Sequence, residues 1–182
     1  SLKITKEKPI YYLPNPVDVS FEKLKNDQNK YLNNDVFFAM SHGVHRGVLK
    51  KGKFDERENL INYLIKKNPH LKFNIFGMNN IQPIWGDEFK RNLFNSKIAL
   101  NLSQGKPLKY YSSDRIAQLM GNGIATLLDK KTKLNKLFTD KEVIFYNSNK
   151  DLNDKLNAMI KNSRLRNKLA RNGRIKYHKK FN

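Results

Sequence analysis

The sequence predicts an α/β protein built as a doubly wound parallel sheet, and three observations carry that reading. Apolar runs of strand length recur along the chain: "VFFAM" (36–40), "KFNIFG" (72–77), "KIALNLS" (97–103), "IATLL" (124–128) and "EVIFY" (142–146). They are continuous rather than alternating, as expected of strands covered by helices on both faces. Segments of helical periodicity lie between them, and β–α alternation specifies a parallel sheet. Finally, 182 residues are enough for one domain with a full core and too few for two ordinary ones.

Each helix has its own signals. Glu56 to Lys67 places Leu60, Ile61, Leu64 and Ile65 on one face and stops at Asn68-Pro69, because a residue before proline is biased away from helix. Glu88 to Asn95 is a short helix with Phe89, Leu93 and Phe94 turned inward. Ser113 to Met120 buries Ile116, Leu119 and Met120 before Gly121-Asn122-Gly123 ends it. Asp151 to Asn162 repeats Leu152, Leu156, Met159 and Ile160 at helical spacing, and Ser163 to Lys176 follows with Leu165, Leu169 and Ile175. Residues 1–34 are the least regular. They are expected to be a lead-in from an upstream domain, with "LPNPVD" (13–18) as connector, and 35–182 to be the domain itself. The start at Ser1 rather than methionine agrees with a piece of a longer chain. Residues 41–55 form a long Gly/Lys-rich loop, and a loop of that length in a small domain is usually functional or mobile.

Composition narrows the function classes. No apolar run approaches the roughly 20 residues that span a membrane, and the N-terminus carries no signal-peptide pattern. Zero cysteines exclude disulfides and thiolate metal sites, which suits a reducing cytoplasm. The close pair His42 and His45 would ligate a metal only if carboxylates joined it from elsewhere, so no metal is expected. The net charge of +20 raises the question of nucleic acid. The lysines, however, run along the whole chain in company with many asparagines and isoleucines, as AT-rich coding imposes, and no nucleic-acid-binding motif organises them. A specific nucleic-acid partner is therefore not expected. Attraction to an anionic membrane is compatible with the charge as a secondary property, which would place the protein in the cytoplasm, peripheral to the inner face of the membrane.

In an open parallel sheet, ligands sit beyond the carboxyl ends of the strands. That rule selects the loops His42–Lys53, Gly77–Trp85, Gln104–Ser113 and Asp129–Lys133. The stretch "SSDRIAQLMGNGIATLLD" (112–129) puts two serines, an aspartate and an arginine at the mouth of a helix. Two readings are open: Ser113 caps the helix and Asp114 suits its positive end, or the same place holds phosphate.

In collinear order, "LPNPVD", "FDERENLINYL", "PHLKFNIFG", "FNSKIALNLS", the 112–129 stretch and "EVIFYNSNKDLNDKLNAMIKNSRLRNKLARNGR" resemble the C-terminal, donor-binding half of GT-B glycosyltransferases of the group 1 type and their spore-maturation-protein-like relatives. The resemblance implies a Rossmann-like fold and a nucleotide diphosphate sugar as substrate, with no separate cofactor and no metal. It also implies an upstream acceptor domain, and transfer of the sugar to a glycan or a lipid-linked precursor. The fragment alone would bind without turning over.

The family carries two glutamates around its phosphate-binding helix, and their places here are taken by Tyr110, near the donor sugar with Tyr111, and Gln118, at the ribose. The resemblance assigns the diphosphate to Arg115 and the backbone N–H groups of Ser112, Ser113 and Asp114, with Arg57 reaching the phosphates from its own helix. Arg46, Lys50 and Lys51 are lesser candidates in the loop before it. Gly77 falls on the nucleotide side, and "IQPIWG" (81–86) on the loop that reads the base. Trp85 could stack on that base or fill core, and core is the favoured reading. The plain alternative for Arg115 is a surface arginine paired with Asp114 or Asp129; in the phosphate reading its replacement would lower nucleotide affinity and leave stability nearly unchanged, and in the ion-pair reading it would melt the domain instead. No catalytic residue is assigned. A non-catalytic glycosyltransferase-like binding module is the competing function.

Overall fold

The computed structural model of the chain describes residues 12–41 and 55–182. Five strands, β1 (Asn34–Ala39), β2 (Phe73–Phe76), β3 (Ser96–Asn101), β4 (Ala125–Asp129) and β5 (Ile144–Tyr146), form one sheet in the order β2-β1-β3-β4-β5. Every pair is parallel, with Val36 beside both Phe73 and Ile98, Ile98 beside Ala125, and Leu127 beside Ile144. The helices are α1 (Glu56–Lys67), α2 (Gly86–Phe94), α3 (Asp114–Gly121), α4 (Asn149–Lys161) and α5 (Ser163–Lys180).

Alternation along the strands divides the core. Val36, Phe38 and Met40 of β1 and its end pack with Ile98 and Leu100 against Ile61 and Leu64 of α1 and Leu152 and Leu156 of α4. Phe37, Ala39 and Ala99 point the other way, beneath Leu93 of α2 and Leu119 of α3. Both strand faces are thus covered, which explains why the runs are continuously apolar. The chain leaves β1 along one face and β3 along the other, so the switch point lies between these neighbouring strands.

Capping chemistry sets several helix ends. The Asp55 carboxylate accepts from the Arg57 N–H at the start of α1, Ser148 Oγ from the Asp151 N–H before α4, and Asn162 Oδ1 from the Leu165 N–H before α5. At the far end of α1, the Asn68 side chain donates to the Leu64 carbonyl at 2.8 Å. Helix α5 runs four residues beyond the Lys176 limit expected from its apolar spacing. Tyr177 is the reason: it is fully buried, stacked on Phe138 at 5.6 Å, and its hydroxyl donates to the Asn15 carbonyl.

Residues 12–33 lie across α3 and α5. Val17 is buried with Ile116 and Met120, the Asn26 amide donates to the Ser96 carbonyl, and Asp27 receives both arms of the Arg174 guanidinium at 2.7 and 3.0 Å.

Asp35 opens β1 in a buried setting. Burial works against its charge, but the Lys97 ammonium at 2.6 Å and the Lys72 N–H at 2.8 Å outweigh it and hold the carboxyl below its ordinary range. A depressed carboxylate contributes stability above its unfolded pKa and loses it as pH falls through the folded one. Asp35→Asn should therefore flatten the decline of stability below about pH 4, read as urea midpoints across an acid series.

Candidate functional site

The predicted binding residues separate into three groups. Trp85, Ser113, Asp114, Arg115 and Gln118 line one cavity of about 550 Å³, bounded by the end of β1 (Ala39 to Ser41), the start of α2 and the first turns of α3. It lies at the switch point, where the topology predicts a ligand. Arg57 lines a second cavity of about 320 Å³ on the α1 and α4 side. Tyr110, Tyr111, Ser112 and Gly77 line neither. Arg46, Lys50, Lys51, His42 and His45 lie outside the described residues. Among the described residues no His, Asp or Glu cluster could hold a metal.

Arg115 is the centre of the first cavity's chemistry. It is half-buried, not a surface residue, and it pairs with neither Asp114 nor Asp129. Its Nη1 donates to the Leu102 carbonyl at 2.8 Å, and its guanidinium carbon sits 5.4 Å from the centroid of the Phe38 ring. Phe38 belongs to the core under α1, so this side chain reaches from α3 over the top of the sheet towards the opposite face. Burial first, and then the neighbouring charge of Arg57, bring its pKa down to about 10, against opposing pulls from Tyr111 and Asp55. Two arginines read separately from helix N-termini thus share one electrostatic neighbourhood.

Arg57 is already engaged. Its Nε and Nη2 donate to Asp55 Oδ1 and Oδ2 at 2.9 and 2.6 Å, both residues are buried, and Asp55 is also the cap of α1. A cation in a first helical turn calls for a nearby anion. Asp55 meets that need from within the chain.

The mouth of α3 is built differently from a capped helix. Ser113 occupies the N-cap position, but its side chain makes no capping bond. Neighbouring polar groups are taken up by the lead-in segment instead: the Asn15 N–H donates to Ser112 Oγ at 3.3 Å, and its amide donates to Asp114 Oδ1. The backbone N–H groups of Ser112, Ser113 and Asp114 donate to no acceptor among the described residues. The Gln118 amide faces the cavity, also without a partner among them. The site therefore offers donors and two cations, Arg115 and Lys90, while its two carboxylates are engaged, Asp114 by Asn15 and Glu22 by the Asp18 N–H at 2.9 Å.

Trp85 is 56% exposed and lines the cavity, so the core reading is corrected. It stands at the N-cap of α2, whose residues Leu93 and Phe89 make that helix's contribution to the core. Phe21, 59% exposed, lines the same cavity, with the Lys90 ammonium 5.7 Å from its ring. Sequence reasoning missed Phe21 and Asn15, which no local pattern ties to a helix mouth nearly a hundred positions away. Tyr110 holds a left-handed backbone at φ 59°, its N–H donating to the Thr132 carbonyl at 2.7 Å and its ring 5.5 Å from Tyr12. Such a conformation in a bulky residue is strained and clusters at functional sites.

Gly77 needs its freedom for a structural reason. At φ +82° it lies so close to Met40 that an added Cβ would stand 1.8 Å from the Met40 carbonyl oxygen. The close approach is made to the chain's own backbone at the end of β1.

The second cavity has the N-terminal turns of α1 and α4 on its walls, with Tyr63, Asp129 and Tyr146. Burial, and then the Asp129 charge, push the Tyr146 hydroxyl well above its ordinary range, so it stays protonated.

Among solved structures, the chain is similar to TarM, with a TM-score of 0.55 and 14% identity over 85% of this chain and 34% of that one. It is also similar to the C-terminal domain of the glycosyl transferase group 1 family protein LpcC from Francisella tularensis, with a TM-score of 0.49 and 17% identity over 69% of this chain and 63% of that one. The chain thus spans less than two thirds of the length of either protein. No curated protein matches the sequence. The model of the family described as glycosyl transferase-like matches residues 56–182, which include α1 through α5 and every candidate residue of the first cavity. With a doubly wound sheet in place and the match running over well over half of its length, the chain belongs to the glycosyl transferase-like family.

Proposed function

We propose that this domain binds the nucleotide diphosphate sugar donor of a glycosyltransferase that passes the sugar to a glycan or a lipid-linked acceptor. One observation carries the reading. Arg115, half-buried in the switch-point cavity, makes no ion pair among the described residues, and burial together with Arg57 lowers its pKa. A cation held at such a cost, beside backbone N–H groups that have no acceptor among the described residues, is matched by a dianionic ligand. The diphosphate lies against Arg115 and the mouth of α3, the ribose against Gln118, and the base between Trp85 and Phe21. As the sugar departs, negative charge grows on the diphosphate, and fixed donors stabilise it. An upstream domain supplies the acceptor site, and the reaction belongs in the cytoplasm.

Isothermal titration of the 182-residue chain against a panel including UDP and GDP tests this. Measurable heat, with a melting temperature that rises with ligand concentration, is expected. No heat with any nucleotide would reject the reading. Gln118→Ala should weaken ribonucleotides more than their 2'-deoxy counterparts, because only the former have the hydroxyl that loses a partner. Equal losses would remove Gln118 from the ribose.

The second reading, a binding module without catalysis, is favoured by one observation. Tyr110 and Gln118, which stand where the family has glutamates, are neutral, and Tyr110 is outside the cavity. It predicts nucleotide or glycan binding with no transfer even when the upstream domain is present.

A further inference from the structure

The positive charge is not evenly distributed. After Asp154 the chain contains no acidic residue, while residues 155–182 hold ten lysines and arginines, so +10 of the net +20 sits in the last 28 positions. Most of that stretch is α5. Its inward cations have partners: Arg166 donates to the Met159 and Ile160 carbonyls, Arg174 pairs with Asp27, and Lys176 pairs with Glu142 at 3.3 Å.

The outward face is different. At 100° per residue, Arg164, Leu165, Lys168, Arg171, Ile175 and Lys179 fall within an arc of about 120°, and all six are exposed. The four cations make no ion pair among the described residues. Leu165 and Ile175, 38% and 48% exposed, lie within the same arc as these cations. The face continues along a helix of 18 residues, about 27 Å long at 1.5 Å per residue.

From this we propose that the outward face of α5 docks the protein on an anionic lipid surface. Charge complementarity selects an anionic partner. The two aliphatic side chains select lipid over nucleic acid, because a bilayer rewards apolar groups at the headgroup boundary and a phosphate backbone has no place for them. No helix among the described residues is long and apolar enough to cross a membrane, and this mode of attachment needs none. The α5 face shares no residue with the nucleotide cavity, so the inference stands apart from the nucleotide reading.

Co-sedimentation with phosphatidylcholine vesicles, with and without about 30% phosphatidylglycerol, tests it. Binding to the anionic vesicles alone, weakened by salt, is expected. A basic residue near such a surface contributes about fivefold in affinity, so Lys168→Ala with Arg171→Ala should lose roughly thirtyfold. Lys66→Ala with Lys67→Ala, exposed at the end of α1, should lose far less. Leu165→Ser with Ile175→Ser should weaken vesicle binding at about 0.15 M salt, where charge is screened. Equal loss from the Lys66 and Lys67 pair would overturn the assignment to α5. So would binding to neutral vesicles as strong as to anionic ones, no effect of the aliphatic pair, or tighter retention of RNA than of vesicles at that salt. Unchanged melting temperatures show that each variant is folded.

Discussion

Arg115→Met should lower nucleotide diphosphate affinity by about 1.5–3 kcal/mol, the range for hydrogen bonds to a charged group, while leaving the melting temperature equal or raising it. The two halves of this expectation have one cause. The guanidinium is half-buried with no carboxylate partner among the described residues, and burial with the Arg57 charge lowers its pKa to about 10. For a base, a folded pKa below the unfolded value means that the unfolded chain holds the proton more tightly. The penalty is present in full at neutral pH and fades only as pH rises above about 10. Methionine keeps the stem over Phe38, gives up the bond to the Leu102 carbonyl and relieves the penalty. Calorimetric titration and thermal melting of the same preparations check both halves. A variant that melts early yet binds normally would make Arg115 a structural residue and remove the phosphate from the mouth of α3.

Gly77→Ala should destabilise the domain by about 3–5 kcal/mol, at the upper end for a single substitution. Two costs add. A non-glycine residue at φ +82° pays about 1–2 kcal/mol for the left-handed backbone. The new Cβ would also lie 1.8 Å from the Met40 oxygen and 2.8 Å from its carbonyl carbon, both backbone atoms. Relief requires separating the ends of β1 and β2, where the Met40 N–H donates to the Phe76 carbonyl at 3.1 Å. Met40 and Ser41 line the cavity, so nucleotide affinity should fall with stability. Urea unfolding measures the first effect and titration the second. Lost affinity with unchanged stability would instead make Gly77 a ligand-approach residue.

The fold was legible because its signals are local. Continuous apolar runs mark strands covered on both sides, and the Asn68-Pro69 and Gly121-Asn122-Gly123 stops act within a turn of the helices they end. The glycosyltransferase resemblance was legible for a related reason, since it rests on the order of those local segments.

Side-chain destinations were less accessible, because they depend on contacts between distant positions. Trp85 carries the same apolar surface inside or outside, and in the fold Phe89 and Leu93 of α2 go to the core while Trp85 stays exposed at the cavity. A serine before a helix reads as a cap, yet the polar groups around Ser113 are engaged by Asn15 of the lead-in segment. Periodicity places α5 and its charges, but pairing alone separates Arg174 and Lys176, joined to Asp27 and Glu142, from the open row on the outer face.

By itself the sequence determined a doubly wound parallel sheet, its helices and the strand ends at which a ligand belongs, because backbone propensity and burial pattern act over a few residues. Tertiary structure alone decided that Arg115 reaches across the switch point with no ion-pair partner among the described residues, whereas Arg57 is taken by Asp55, two positions before it. Both residues look alike along the chain, as arginines in first helical turns. A carboxylate two positions away settles Arg57 locally, and the surroundings of Arg115, Leu102 and Phe38, are set by the approach of separate elements over the sheet.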